Sequence, residues 1–233
     1  MPPSARRIKL DRKSLREPDE FQAVTTQAAA WVQAHRPVLV AAAIGAAALV
    51  AVLGGLGWWR GSRADAAAVR FQSAYDDYKA ARWAQAADAF AGLGRDYGST
   101  PYGRLAALYE AHALARKPDA AAAAATYERY LSDGPETDYL KQEALLGLGL
   151  AREATGDAQG AQRALEEAAA LAGPFTTDAR LALARQLEGA GQADKAREQY
   201  LAVLKDSPSA SLREFLQGKV PPGDVPAAGA DAP

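Results

Sequence analysis

The sequence predicts an all-α protein: one transmembrane helix followed by an α-solenoid of about four helix pairs. Three observations lead there. The 233 residues are 49% apolar and rich in Ala and Leu, with β-branched residues sparse outside one run. Ala is the best helix former and β-branched residues favour strands. Val38 to Trp59 is a stretch of 22 residues without a charge. Beyond Arg60, small residues recur with a period of about 35, the mark of a stacked array.

Four regions follow: a basic tail with a short amphipathic helix at 1–37, the apolar run at 38–59, the repeats at 60–218 and a disordered tail at 219–233. Residues 1–37 carry seven Lys or Arg against four acids, and residues 60–233 carry 20 against 24. A mildly acidic domain behind a basic tail argues against nucleic acid as the main partner. The basic tail suits an anionic membrane face. Ser14-Leu15-Arg16-Glu17 matches a capping box, and Pro18 suits a first helical position. Phe21, Val24, Ala28, Trp31 and Val32 then share one helical face. That face suits either a membrane surface or a partner.

At 1.5 Å per residue the apolar run reaches about 33 Å, enough for a hydrocarbon core of roughly 30 Å. Trp58 and Trp59 close it with side chains suited to the lipid–water interface. Few buried soluble helices run six turns without a polar residue, and the apolar region of a signal peptide is shorter. The seven bases of the tail favour an N-terminus in the cytoplasm and the repeats outside it. Arg60, Arg63 and Arg70 against Arg36 count the other way close to the run. A long C-terminal domain crosses largely regardless of such charges. Ala43, Ala47, Ala51 and Gly55 recur every fourth residue, a stripe on which a second membrane helix can pack closely.

In the repeats, small residues stand at Ala74, Ala111, Gly149 and Ala184, and again at Ala86, Ala123, Ala161 and Ala196. Four residues after each of the second set comes a large group: Phe90, Tyr127, Leu165, Tyr200. Twelve after comes a helix stopper: Gly98, Pro135, Gly173, Pro208. Each unit therefore reads as two antiparallel helices that cross closely at the small residues, with the large residue filling the gap. Turns within units show as Lys117-Pro118-Asp119, Gly156-Asp157 and Gly191-Gln192. Leu212 to Leu216 is expected to cap the open end.

These residues resemble the tetratricopeptide repeat over about residues 66–210. Leu148-Gly149, Gly156-Asp157 and Ala161 in unit three, and Leu183-Ala184, Gly191, Ala196, Tyr200 and Pro208 in unit four, carry the likeness. Unit one has Ala81 where a turn Gly is usual, and unit two has Glu110 and Pro118 at the usual Leu and Gly. The resemblance implies a concave, peptide-binding face lined by first-helix residues. Those are Phe71, Tyr75, Tyr78 and Lys79, then Leu108, His112 and Arg116, then Leu146 and Leu150, then Arg185. The mix suits a mixed apolar peptide. Acid-clamping members of the family use Asn with Lys or Arg, and this chain has no Asn. Packing between units is the other role open to several of these positions.

No cofactor, metal site or catalytic constellation is expected. The chain has no Cys, and its two His are far apart. Neither a phosphate-binding Gly loop nor a nucleophile elbow is present. Asp76-Asp77 and Glu166-Glu167 are adjacent on helices and do not face one another. The layout of basic tail, single membrane helix and repeats is similar to the bacterial ancillary SecYEG translocon subunit family. That resemblance implies repeats in the periplasm beside the Sec translocon and its chaperones, handling exported proteins. Two alternatives remain: an envelope scaffold for cell division or outer-membrane assembly, and a tethering subunit of a membrane enzyme complex. Ala-rich faces leave room for a homo-oligomer.

Overall fold

The computed structural model describes residues 20–206 and 209–225, with side chains from residue 25 onward. The basic residues up to Arg16, the Ser14–Glu17 capping box, Pro18, the Pro208 stopper and residues 226–233 lie outside the described residues, as do the side chains of Phe21 and Val24. Ten α-helices and no strand are present among the described residues. The chain divides into two compact units between Trp59 and Arg60.

In the first unit, α1 spans Glu20–Ala34 and α2 begins at Arg36. His35 separates them. Its Nδ1–H donates to the Trp31 carbonyl at 2.9 Å, and the two rings stack 4.6 Å apart. Trp31 and Val32 are exposed. So is every residue from 38 to 59, including Ala43, Ala47, Ala51 and Gly55. By length and composition α2 is able to cross a membrane. It runs to Lys79, so the change of composition at Arg60 is not a helix boundary.

In the second unit, the C-terminal half of α2 pairs with α3 (Trp83–Tyr97) through Ala67, Ala74, Ala86 and Phe90. The further pairs are α4 (Pro101–Arg116) with α5 (Ala120–Ser132), α6 (Asp138–Thr155) with α7 (Ala158–Ala170), and α8 (Thr176–Gly189) with α9 (Ala193–Lys205). From α3 to α9 each helix packs on the next in sequence, while α4 also touches α6 and α6 touches α8. Short turns make neighbours antiparallel, so α4, α6 and α8 run parallel and side by side.

The repeat spacing explains this packing. The small residues of both sets and the large residue of each unit are all buried. A Cβ at Gly149 would stand 2.6 Å from the Leu165 side chain, so the glycine sets the approach of α6 to α7. Fully burying Leu165 or Phe90 contributes about 1.5–3 kcal/mol each relative to exposure.

Turn chemistry fixes the helix ends. Thr100, Asp119, Thr137 and Asp157 accept from the amides of Gly103, Ala122, Leu140 and Gly160, capping α4 to α7. Gly156 and Gly191 sit at φ +84° and +73°, the left-handed conformation that ends a helix. Ala81 takes the same role at φ +57°.

After α9, α10 (Ala210–Gln217) closes the array with Leu216 fully buried against Tyr200. The domain continues further than the composition suggests. Val220 is buried, Pro222–Asp224 form a 3-10 turn, and Asp224 lies 3.5 Å from Arg197. Residues 220–225 therefore belong to the packed domain rather than to a tail.

Candidate functional site

The parallel first helices create a long open groove of about 870 Å³. α4 contributes His112 and Arg116, α6 contributes Glu143, Leu146, Gly147 and Leu150, and α8 contributes Asp178, Leu181 and Arg185. Tyr78 of α2, Tyr127 of α5, Tyr200 of α9 and Phe215 of α10 complete it. On α6, Glu143, Gly147, Leu150 and Ala154 follow at intervals of three and four, so the helix turns one continuous stripe toward the groove. Leu150 and Phe215 are 40% and 56% exposed, so the groove offers apolar surface to a partner.

Of the ten residues expected to line a groove, Tyr78, His112, Arg116, Leu146, Leu150 and Arg185 come together in this one cavity. Four do not line it. Leu108 is fully buried in the core with Ala111, Tyr127 and Leu148, so it packs between helices instead of presenting surface. Phe71 is half-buried among Phe90, Tyr102 and Tyr109, each ring 5.3 Å away. Tyr75 stacks on Tyr78 at 6.2 Å and meets Tyr109 edge-on at 5.5 Å. Lys79 pairs with Asp76 at 2.9 Å and lies over the Tyr75 ring. Asp77 pairs with Arg82, and Glu166 accepts from Gln162.

Electrostatics single out one point in the groove. His112 Nε2 is buried without a hydrogen-bond partner and lies 3.6 Å from Glu143 Oε1. Burial, then the nearby Arg116 charge, pushes the His112 pKa down to about 4. Burial raises that of Glu143. Both groups are thus biased toward their neutral forms. Tyr109 stacks on His112 at 5.6 Å and Tyr127 meets it edge-on at 5.7 Å. The side chains of Arg116 and Asp178 make no hydrogen bond or ion pair among the described residues.

At the far end of the groove, the Tyr200 hydroxyl donates to Glu188 at 3.0 Å, and Lys219 pairs with the same carboxylate at 3.1 Å. Burial first, then Glu188, pushes the Tyr200 phenol up to about 12. The network ties the end of the array to α8.

A smaller cavity of about 380 Å³ lies among α3, α4 and α5. Four of its charges are matched, since Arg129 pairs with Glu110 at 2.8 Å and Arg104 pairs with Glu136, while Arg95 and Asp133 form no ion pair among the described residues. The larger groove, with exposed apolar side chains, is the better binding surface. No group of three or more His, Cys, Asp or Glu able to hold a metal ion is present among the described residues.

Sequence reasoning did not single out Glu143, Asp178, Tyr127, Tyr200 or Phe215 as groove residues. Register had the information for two of them. Glu143 precedes Gly149 by six residues, and Asp178 precedes Ala184 by six, the same place in successive units.

Comparison with known proteins agrees with the fold. No curated protein matches the sequence. The structure is similar to MamA AMB-1, with a TM-score of 0.51 and 19% identity over 66% of this chain and 80% of that one. It is also similar to a Podosopora anserina protein described as a kinesin light chain with nearly identical TPR-like repeats. There the TM-score is 0.54 and the identity 15%, over 65% of this chain and 83% of that one. At these identities the likeness is one of fold. A family model for the tetratricopeptide repeat-like domain matches residues 29–220, and the chain belongs to that family.

Proposed function

We propose that this protein is a membrane-anchored interaction scaffold of the bacterial cell envelope that binds segments of other proteins in its groove and catalyses nothing. The observation that carries the reading is the open groove, with Leu146, Leu150, Leu181 and Phe215 available to a partner. Family membership supports it, since repeat arrays of this kind present such surfaces to proteins and peptides. The anchor is the exposed apolar segment of α2 between Val38 and Trp59. In the proposed topology the tail is cytoplasmic and the repeats are periplasmic, beside the Sec translocon and its chaperones, where exported chains emerge.

The test is site-specific photo-crosslinking from position 150 of the full-length chain in native membranes, with the products identified by mass spectrometry. Recovery of the translocon channel, exported chains or periplasmic chaperones is expected. Recovery of division, cell-wall or cytochrome-assembly proteins without the channel would move the role to another envelope scaffold. Because the chain has no Cys, single cysteines report topology directly. Ser211→Cys should react with a membrane-impermeant maleimide in spheroplasts and Ser4→Cys should not; the reverse pattern would overturn the topology.

A further inference from the structure

The groove holds charges that a purely apolar ligand leaves unsatisfied. Glu143 and Asp178 occupy equivalent places on α6 and α8 and line the same cavity. Among the described residues Asp178 makes no ion pair, and Glu143 has only the 3.6 Å contact with His112. The Glu143 side chain is 27% exposed and no hydrogen bond reaches it. For Glu143, a half-buried carboxylate without donors is costly, and a cation that brings donors offsets that cost; Asp178 is exposed and contributes its charge alone. Tyr109 and Tyr127 both pack on His112, with Tyr78 6.0 Å from Tyr109. Aromatic faces beside a carboxylate add to the attraction for a cationic side chain. The carboxylates Glu110 and Glu136 of the smaller cavity, by contrast, already have arginines.

We propose that the groove takes an extended segment of a partner protein in which Lys or Arg alternates with bulky apolar residues, the basic side chains meeting Glu143 and Asp178. This rests on the groove being the binding surface. Packed helices lie about 8–10 Å apart, and an extended chain advances about 3.3 Å per residue. Basic residues about three apart therefore match the two carboxylates. Arg116 and Arg185 line the same cavity and disfavour a uniformly polybasic segment. Apolar residues between the cations meet Leu146, Leu150 and Leu181.

The experiment is selection of random dodecapeptides displayed on phage against the full-length chain in detergent micelles. Enriched peptides are then measured by fluorescence anisotropy against the wild type, the Glu143→Gln/Asp178→Asn variant and Leu150→Arg. Expected are peptides with Lys or Arg about three apart among apolar residues. Their binding should weaken on the order of tenfold in the double variant and with added salt, at an unchanged melting temperature. Enriched peptides without basic residues, or basic peptides bound equally by the double variant, overturn the inference and leave the groove as a binding surface. No enrichment, or binding indifferent to Leu150→Arg, overturns the groove reading itself and the inference with it.

Discussion

The ring of Tyr127 occupies the space that a side chain at position 147 would need. A Cβ on Gly147 would overlap the ring and lie 2.6 Å from its hydroxyl oxygen. Tyr127 also lines the groove, so this glycine couples helix packing to the shape of the binding surface. Gly147→Ala should destabilise the domain by about 1–3 kcal/mol through overpacking. In a Tyr127→Ala background the same change should become neutral or stabilising by up to about 1 kcal/mol, because Ala is the better helix former. Thermal unfolding followed by circular dichroism reads both. Equal costs in the two backgrounds would show that the ring is not what excludes the side chain.

Ala81 closes the turn of the first unit at φ +57°, where units three and four use Gly156 and Gly191. A Cβ in the left-handed region costs about 1–2 kcal/mol, partly offset by the extra freedom glycine has when unfolded. Ala81→Gly should therefore stabilise by about 0.5–1 kcal/mol, raising Tm by roughly 1–4 °C for a domain of this size. Gly156→Ala should lower stability by about 1–2 kcal/mol. A lower Tm for Ala81→Gly would contradict this account of the turn.

The repeat was legible because steric need and periodicity coincide. The small residues at close crossings and the large residue four later can be read one unit at a time, and all are buried. The groove was less legible because lining depends on what the next unit contributes. Leu108 and Leu146 each stand three before the small residue of their first helix, yet Leu146 lines the groove while Leu108 lies under Tyr127 and α6. Glu143 and Asp178 share a register position, but a carboxylate on one helix says nothing of the groove it faces. Gln142 gave no signal at all, since its partners are 26 to 34 residues away in sequence.

Gln142 is fully buried and holds a loop together. Its Nε2 donates to the carbonyls of Ala168 and Leu171, at 3.1 and 2.7 Å, with the Thr176 hydroxyl at 3.0 Å. Its Oε1 accepts from the Phe175 amide at 3.1 Å. The amide group thus bridges the end of α7 and the start of α8. Gln142→Leu would take this partner from the Ala168 carbonyl and the Phe175 amide, each worth about 1–3 kcal/mol when buried, while the Leu171 carbonyl keeps the Thr176 hydroxyl at 2.9 Å. A total loss of about 2–4 kcal/mol is expected, with a smaller loss for Thr176→Val. Chemical denaturation measures both, and a Gln142→Leu protein as stable as the wild type would rule out the bridge.

His112 makes the stability depend on pH with a definite sign. Its folded pKa of about 4 lies below the ordinary value of 6.5 because burial, then Arg116, disfavours the charged ring. The contribution is fully present above pH 6.5. It is lost as pH falls toward 4, because the unfolded chain takes up the proton first. The loss across that window is on the order of 3 kcal/mol. Glu143 acts in the opposite sense, since burial raises its pKa and the folded state takes up a proton more readily on acidification. Tyr109 and Tyr127, both shifted upward by burial, stay neutral across the window. Comparing the wild type with His112→Phe isolates the histidine. The denaturation midpoint of the wild type should fall more steeply between pH 6.5 and 4 than that of the variant. Parallel curves would mean that His112 is as easily protonated in the folded groove as in the unfolded chain.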